Sequence, residues 1–422
     1  MASYTIDTVN FNTQVINSKE YKTTVDYEIL NYDKNIIDDG DIHNGIYRSV
    51  IISPEDKTVL SFSLPKSIQT EEFIQMYPDN VSFSSDIVVS DYIEGTMINL
   101  FYDERIHSWE IATKTAIGGN YCYFTDTYSE HTNFKKMFIE TFGYVSEEMN
   151  LNDIGELELL PKNYCYSFVL QHPNNHIVLN IEFPSLYLVA VYEIFKNSTT
   201  AVNIPLSEVK KWDIFTENED ELSSSFKNTI YFPYEYTTEN DTYDRIIHFY
   251  ANSVSSQYLN VGIMMTNTKT GMRTKVYNPV YSYLKDLRGN HPNLKYNYLC
   301  LCRNGRLVEF LNFFPKYNDI FHQYYDEVMN GILSLHISYC EQQVKKNKNV
   351  ELLKDPFMKK HIYKIHDIYY ISRLNPLFGY GRGFVSRMDV HEYFESLEIK
   401  EQYYILKKCR ELIPENNLVD FE

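Results

Sequence analysis

Tryptophan, glycine, proline and cysteine are all scarce in this 422-residue chain, with 2 Trp, 15 Gly, 14 Pro and 6 Cys. So little glycine and proline excludes a collagen-like or Pro/Gly-rich low-complexity architecture. The cysteines stand at 122, 165, 300, 302, 340 and 409, with no CxxC pair and no ladder of short spacings. That pattern excludes a zinc-finger-like site and a secreted disulfide framework, and it predicts a reducing compartment, the cytoplasm. Cys300 and Cys302, two apart in an apolar run, are expected to share one face of a strand. Long apolar runs are missing too. The longest, around Leu186 to Phe195, falls short of the ~18 residues that suggest a membrane span, and the opening MASYTIDTVNFNT holds neither a basic nor an apolar targeting segment, so no membrane association is expected.

Positive charge is in deficit. With 39 Lys+Arg against 57 Asp+Glu the formal net charge is -18, which excludes a uniformly basic nucleic-acid coat. The deficit is uneven, because from Gly262 to Lys316 nine cations meet only Asp286 and Glu309. A focused positive site on an acidic body is expected. What the chain has in excess is 38 Tyr and 25 Phe, rings that pack in sheet-rich cores and, with a hydroxyl, serve wet binding surfaces.

Up to about residue 315 the apolar pattern has period two in short runs broken by Asn, Asp and Gly. Tyr47 to Ile52, Val59 to Leu64, Met97 to Tyr102, Trp109 to Thr113, Tyr166 to Leu170, Ile177 to Ile181 and Leu186 to Ile194 read as strands of mainly antiparallel sheets. One helix is predicted from Phe134 to Phe142, with Thr132 as its cap, and an exposed loop from Thr216 to Ser225. Beyond Pro315 the spacing becomes three to four, as in Phe321, Tyr324, Val328, Ile332, Leu335 and Tyr339, and again from Met358 to Leu374 and from His391 to Leu412. The expectation is an α+β chain, an antiparallel domain over 1–315 followed by an all-helical C-terminal domain over 316–422. Gly379-Tyr380-Gly381-Arg382-Gly383 lacks the lysine and serine of a phosphate loop and reads as a connector.

Four segments, in order, carry a resemblance. They are Tyr47-Arg48-Ser49-Val50-Ile51 with Val59 to Lys66; Glu94-Gly95-Thr96-Met97-Ile98 with Trp109 to Thr115; Tyr166 to Val178; and Gly262 to Met265 with Arg273-Thr274-Lys275. Together they resemble the nucleotidyltransferase fold of phage-type RNA ligases and related large-DNA-virus proteins. The resemblance implies that Arg48, Lys66, Glu94, Gly95, Lys114, Arg273 and Lys275 line a nucleotide- and phosphate-binding site, with ATP or another nucleotide, or RNA, as the ligand.

It also shows what is absent. Adenylyl transfer in that family needs a lysine two residues before the acid, an amine able to form a phosphoramidate. Here Tyr92 stands at that place, a phenol with an ordinary pKa of about 10. Where the ligases hold a divalent cation with carboxylates, this chain offers Val169 or Leu170, and Val261. No metal site and no Mg2+ are therefore expected. Basic positions persist while nucleophile and acids do not, which leads to a ligase-derived binder of nucleotide or RNA 5′-phosphate ends without turnover. The alternatives are an active ATP-dependent ligase whose nucleophile has moved to Lys66 or Lys114, and a structural protein keeping only the fold.

Overall fold

The computed structural model divides into two compact units, Met1–Asp286 and Leu287–Glu422. It describes residues 1–78, 86–123, 133–145, 149–216, 226, 229–238, 241–252, 260–347, 349–374 and 384–412. Among these no helix is long and apolar enough to cross a membrane.

The first unit holds three sheets. A meander runs in chain order through Ile16–Lys22, Asp26–Tyr32, Val50–Ile52 and Val59–Phe62, every pair antiparallel. A seven-stranded sheet is ordered Ser3–Thr5, Thr200–Ile204, Ser185–Ile194, Tyr164–Gln171, Thr96–Asp103 and Ser108–Ala112, with Ile230–Tyr231 added parallel to Ser185–Ile194. The third sheet is Glu235–Tyr236, Ile87–Asp91, Gly262–Asn267 and Arg273–Tyr277.

Strand alternation assigns each face. In Thr96–Asp103, Ile98 and Leu100 pack with Phe134, Met137 and Phe138 of the Phe134–Glu140 helix, while Phe101 and Met97 join the core beneath the meander. Tyr164–Gln171 divides likewise, Tyr166, Phe168 and Leu170 to the helix side and Cys165 to the meander side. The large sheet is thus buried on both faces, which is why its strands are nearly continuous in apolar residues. Asn133, one residue after the expected Thr132, caps the helix by accepting a bond from the Lys136 amide; Thr132 lies outside the described residues.

Two expectations are corrected here. The C-terminal run of helices begins at Pro279, so Pro279–Arg288, Leu294–Arg303 and Leu307–Phe313 occupy a stretch assigned to the antiparallel domain, and the two compact units divide at Asp286/Leu287, before the expected boundary at 315. The alternation of Tyr296, Tyr298, Cys300 and Cys302 imitates a strand, yet the buried set includes Leu294, Tyr298 and Leu301 at helical spacing, and Cys302 is exposed. Asn293 starts that helix by accepting from the Tyr296 amide. Second, Ile177 to Ile181 is not a strand; its amides serve another purpose, described below.

The second unit is helical as expected, with Asn318–Tyr339, Pro356–Leu374, Arg387–Ser396 and Ile399–Leu412 following the helices just named. Phe310 stacks on Phe321 at 5.2 Å, and Tyr298 meets Phe321 edge-on at 5.2 Å. The span from His391 to Leu412 is two helices, separated after Ser396. The acidic loop 217–225 and the glycine-rich stretch 379–383 lie outside the described residues.

Candidate functional site

A cavity of about 460 Å³ opens within the first unit, between the third sheet and the large sheet. Period two builds its wall. Along Arg273–Tyr277, Arg273 and Lys275 face the cavity while Thr274 and Val276 face inward, where Thr274 Oγ1 donates to the Ile68 carbonyl. On the neighbouring strands Met264, Thr266, Val88 and Ser90 line the cavity, and Ile263, Met265, Ile87 and Val89 fill the core behind. The opposite wall is apolar, with Met97, Val169, Val189 and Ala190 from the large sheet and Ile204 to Leu206 at its edge. Arg48 before Val50–Ile52, and Lys66 after Val59–Phe62, complete the rim.

Four of the expected cations therefore meet at one cavity: Arg48, Lys66, Arg273 and Lys275. Their states differ. The Arg273 guanidinium is buried and donates through Nε and Nη2 to the Pro65 carbonyl at 3.0 and 2.7 Å. Burial, aided by the nearby Arg48 charge, lowers its pKa to about 10. Lys275 is held below the ordinary lysine range by desolvation and by its neighbours Lys285, Arg48 and Arg273. Lys66 donates to Asp39 Oδ1 at 2.8 Å and to the carbonyls of Asp38 and Asp39 at 3.3 and 3.2 Å. The Lys66 and Gln69 bonds in turn lower the Asp39 carboxyl. The Arg48 guanidinium forms no ion pair or hydrogen bond with the described residues.

Tyr92 also borders the cavity. Its ring meets Tyr277 edge-on at 5.1 Å, and the two hydroxyls lie 3.4 Å apart. Burial raises its phenol above the ordinary value, and Lys275 and Arg48 offset that only in part. A neutral phenol is therefore what faces the cavity.

Three expected residues sit differently. Lys114 does not line the cavity; its ammonium lies 3.9 Å from the ring centroid of Tyr32, and that ring does. Burial and the Arg48 charge lower the Lys114 pKa to about 8. Glu94 is buried and also absent from the lining. Its carboxylate accepts backbone N–H bonds from Ile177 at 2.8 Å, Val178 at 3.0 Å and Leu179 at 3.2 Å. The segment expected as a strand is thus an amide nest wrapped on a carboxylate. Gly95 does border the cavity, but the need for glycine comes from the adjacent strand. With φ at +154°, a Cβ there would lie 2.5 Å from the Leu170 carbonyl and 2.7 Å from Val169 Cγ1.

No metal-holding constellation emerges. Among the described residues no three His, Cys, Asp or Glu side chains are grouped to hold an ion. The cavity's own acids are engaged, Asp39 by Lys66, Asp91 by the Tyr236 hydroxyl, and Glu235 by Lys210 at 2.6 Å. The cationic stretch is also less concentrated than its composition implies. Lys269 pairs with Asp86, Lys295 with Glu327 and Arg306 with Glu309, leaving Arg273 and Lys275 as its contribution to the cavity. Asp39, Gln69 and the apolar wall were not foreseen; Asp38-Asp39-Gly40 carries only the signal of an ordinary turn.

No family model matches the chain. It is similar to a protein of Invertebrate iridescent virus 6 named as a homolog of the immediate-early protein ICP-46, 24% identical over 307 residues. That match takes in 71% of this chain and 61% of the relative, so the chain spans about three fifths of the curated relative's length. Among solved structures it is similar to the RNA ligase of Naegleria gruberi. A point variant with ATP and Mn aligns over 53% of this chain and 58% of that one, at 13% identity and a TM-score of 0.36. The ligase with PPi aligns over 60% and 64%, at 11% identity and a TM-score of 0.36.

Proposed function

We propose that the chain reversibly binds a phosphorylated nucleotide, or the 5′-phosphate end of an RNA, in the 460 Å³ cavity, without passing AMP onward. The observation that carries this reading is the two-sided character of the cavity. Arg48, Lys66, Arg273 and Lys275 supply positive charge on one side, and Met97, Val169, Val189 and Ile204 supply an apolar surface on the other. A nucleotide has the same division, phosphates at one end and a flat ring system at the other, and charge-assisted bonds to phosphate are the stronger class of polar contact. Tyr92 brings a neutral phenol where transfer chemistry needs an amine. All six cysteines are unpaired, in keeping with the cytoplasm as the place of action.

The displaced-nucleophile ligase is the second reading. Burial and the Arg48 charge lower the pKa of one lysine to about 8, toward the neutral amine that a nucleophile requires. That lysine is Lys114, not Lys66, whose ammonium is fixed by Asp39. Incubation with radiolabelled ATP and magnesium, followed by gel separation and peptide mass spectrometry, distinguishes the two. Reversible binding with no covalent adduct is expected, and an AMP adduct on Lys114 overturns it in favour of the ligase.

A further inference from the structure

Asp39 occupies an unusual place. Its carboxylate bridges two cavity residues, with Oδ1 on Lys66 Nζ at 2.8 Å and Oδ2 on Gln69 Nε2 at 2.6 Å. The cation is sheltered, at 15% side-chain exposure, and the acid is not, at 64%. Among the described residues Asp39 is the side chain that holds the Lys66 ammonium, with two carbonyls of the same turn beside it. A carboxylate from an exposed turn thus sits where a phosphate oxygen would be received, and its own turn can carry it away. Gly40 follows immediately.

Resting on the nucleotide-binding reading above, we propose that Asp39 is an internal counter-anion. It holds the Lys66 end of the cavity until a ligand with more than one phosphate displaces it, and so moderates the binding of polyphosphates while leaving that of monophosphates unchanged. A first phosphate meets Arg48 and Lys275, neither of which forms an ion pair with the described residues, and does not need to compete. A second must take Lys66 from Asp39. The exchange is close to even in charge, since one anion replaces another on the same ammonium, but it is open only to a ligand long enough to span both ends. Asp39 therefore weakens polyphosphate binding somewhat while keeping Lys66 closed to small monoanions.

Calorimetric titration with AMP, ATP and inorganic tripolyphosphate tests this on the full chain. Asp39→Asn is expected to tighten ATP and tripolyphosphate by roughly threefold to tenfold, the scale of releasing an exposed ion pair and one nearby like charge. AMP is expected to change by less than about twofold, and Glu71→Gln, an exposed acid on the adjoining helix, should change nothing. In a Lys66→Ala background the Asp39→Asn gain should vanish, because the two side chains act as one pair. Unchanged or weakened ATP binding in Asp39→Asn, an equal gain for AMP, or a gain that survives Lys66→Ala overturns the proposal. If the unaltered chain binds ATP in an Arg48-dependent way and Asp39→Asn does nothing, this inference fails and the binding reading stands. If no phosphate compound binds either chain, both fall.

Discussion

Replacing Glu94 separates a structural role from a ligand-binding one. The carboxylate is 3% exposed and accepts from three successive amides, those of Ile177, Val178 and Leu179. Glu94→Ala leaves all three without their acceptor. At about 1 kcal/mol for each of these half-buried amides left without its acceptor, the local loss is about 3 kcal/mol. Glu94→Gln keeps an oxygen but loses the charge assistance, a loss of about 1 to 2 kcal/mol. A chain of two compact units does not unfold as a single step, so the effect is best read locally by hydrogen exchange. Exchange at the 177–179 amides should accelerate by at least about a hundredfold in Glu94→Ala, since 1.4 kcal/mol is a factor of ten. Exchange within about threefold of the unaltered chain would refute the claim that Glu94 is the anchor of this loop.

Arg48→Ala should weaken ATP binding by about 1.5 to 3 kcal/mol, the range for a charge-assisted contact, as measured by calorimetry. If four cavity cations meet the phosphates of a single-stranded RNA end, the log-log salt slope should be about -2 to -4, and filter binding between low and moderate salt would show it. Lys114, with its folded pKa of about 8 below that of the unfolded chain, binds fewer protons folded than unfolded between about pH 8 and pH 10.5, so its contribution favours folding increasingly as pH rises through that window. Amine-directed labelling of Lys114, followed by mass spectrometry, should have its midpoint near pH 8; a midpoint above pH 10 would contradict the burial that depresses it.

Much of the first unit was legible because strand alternation is a local signal. Thr96–Asp103, Ser108–Ala112, Tyr164–Gln171 and Ser185–Ile194 fall where period two placed them, and the Asn318–Tyr339 helix follows its three-to-four spacing. The misreadings have physical causes. In Leu294–Arg303 the sequence carries period two and period 3.6 together, and the Asn293 cap decided between them. Ile177 to Ile181 has strand-like alternation, but a buried carboxylate distant in sequence claimed its amides, which no local pattern reveals. Arg48, Lys66, Arg273 and Lys275 were named through the resemblance of their segments, and they line one cavity. Asp39 was not, because its meaning comes from a turn brought against Lys66 by the fold. Gly95 was expected only as a lining residue of the site, whereas the Leu170 carbonyl is what demands a glycine there.

The most direct measurement is a crystal structure of the chain soaked with ATP. The account predicts phosphate oxygens within hydrogen-bonding distance of Arg48 and Lys275, the base against Met97, Val189 and Ile204, and no covalent bond from protein to phosphorus. ATP seated elsewhere, or an empty cavity at saturating ATP, would contradict it.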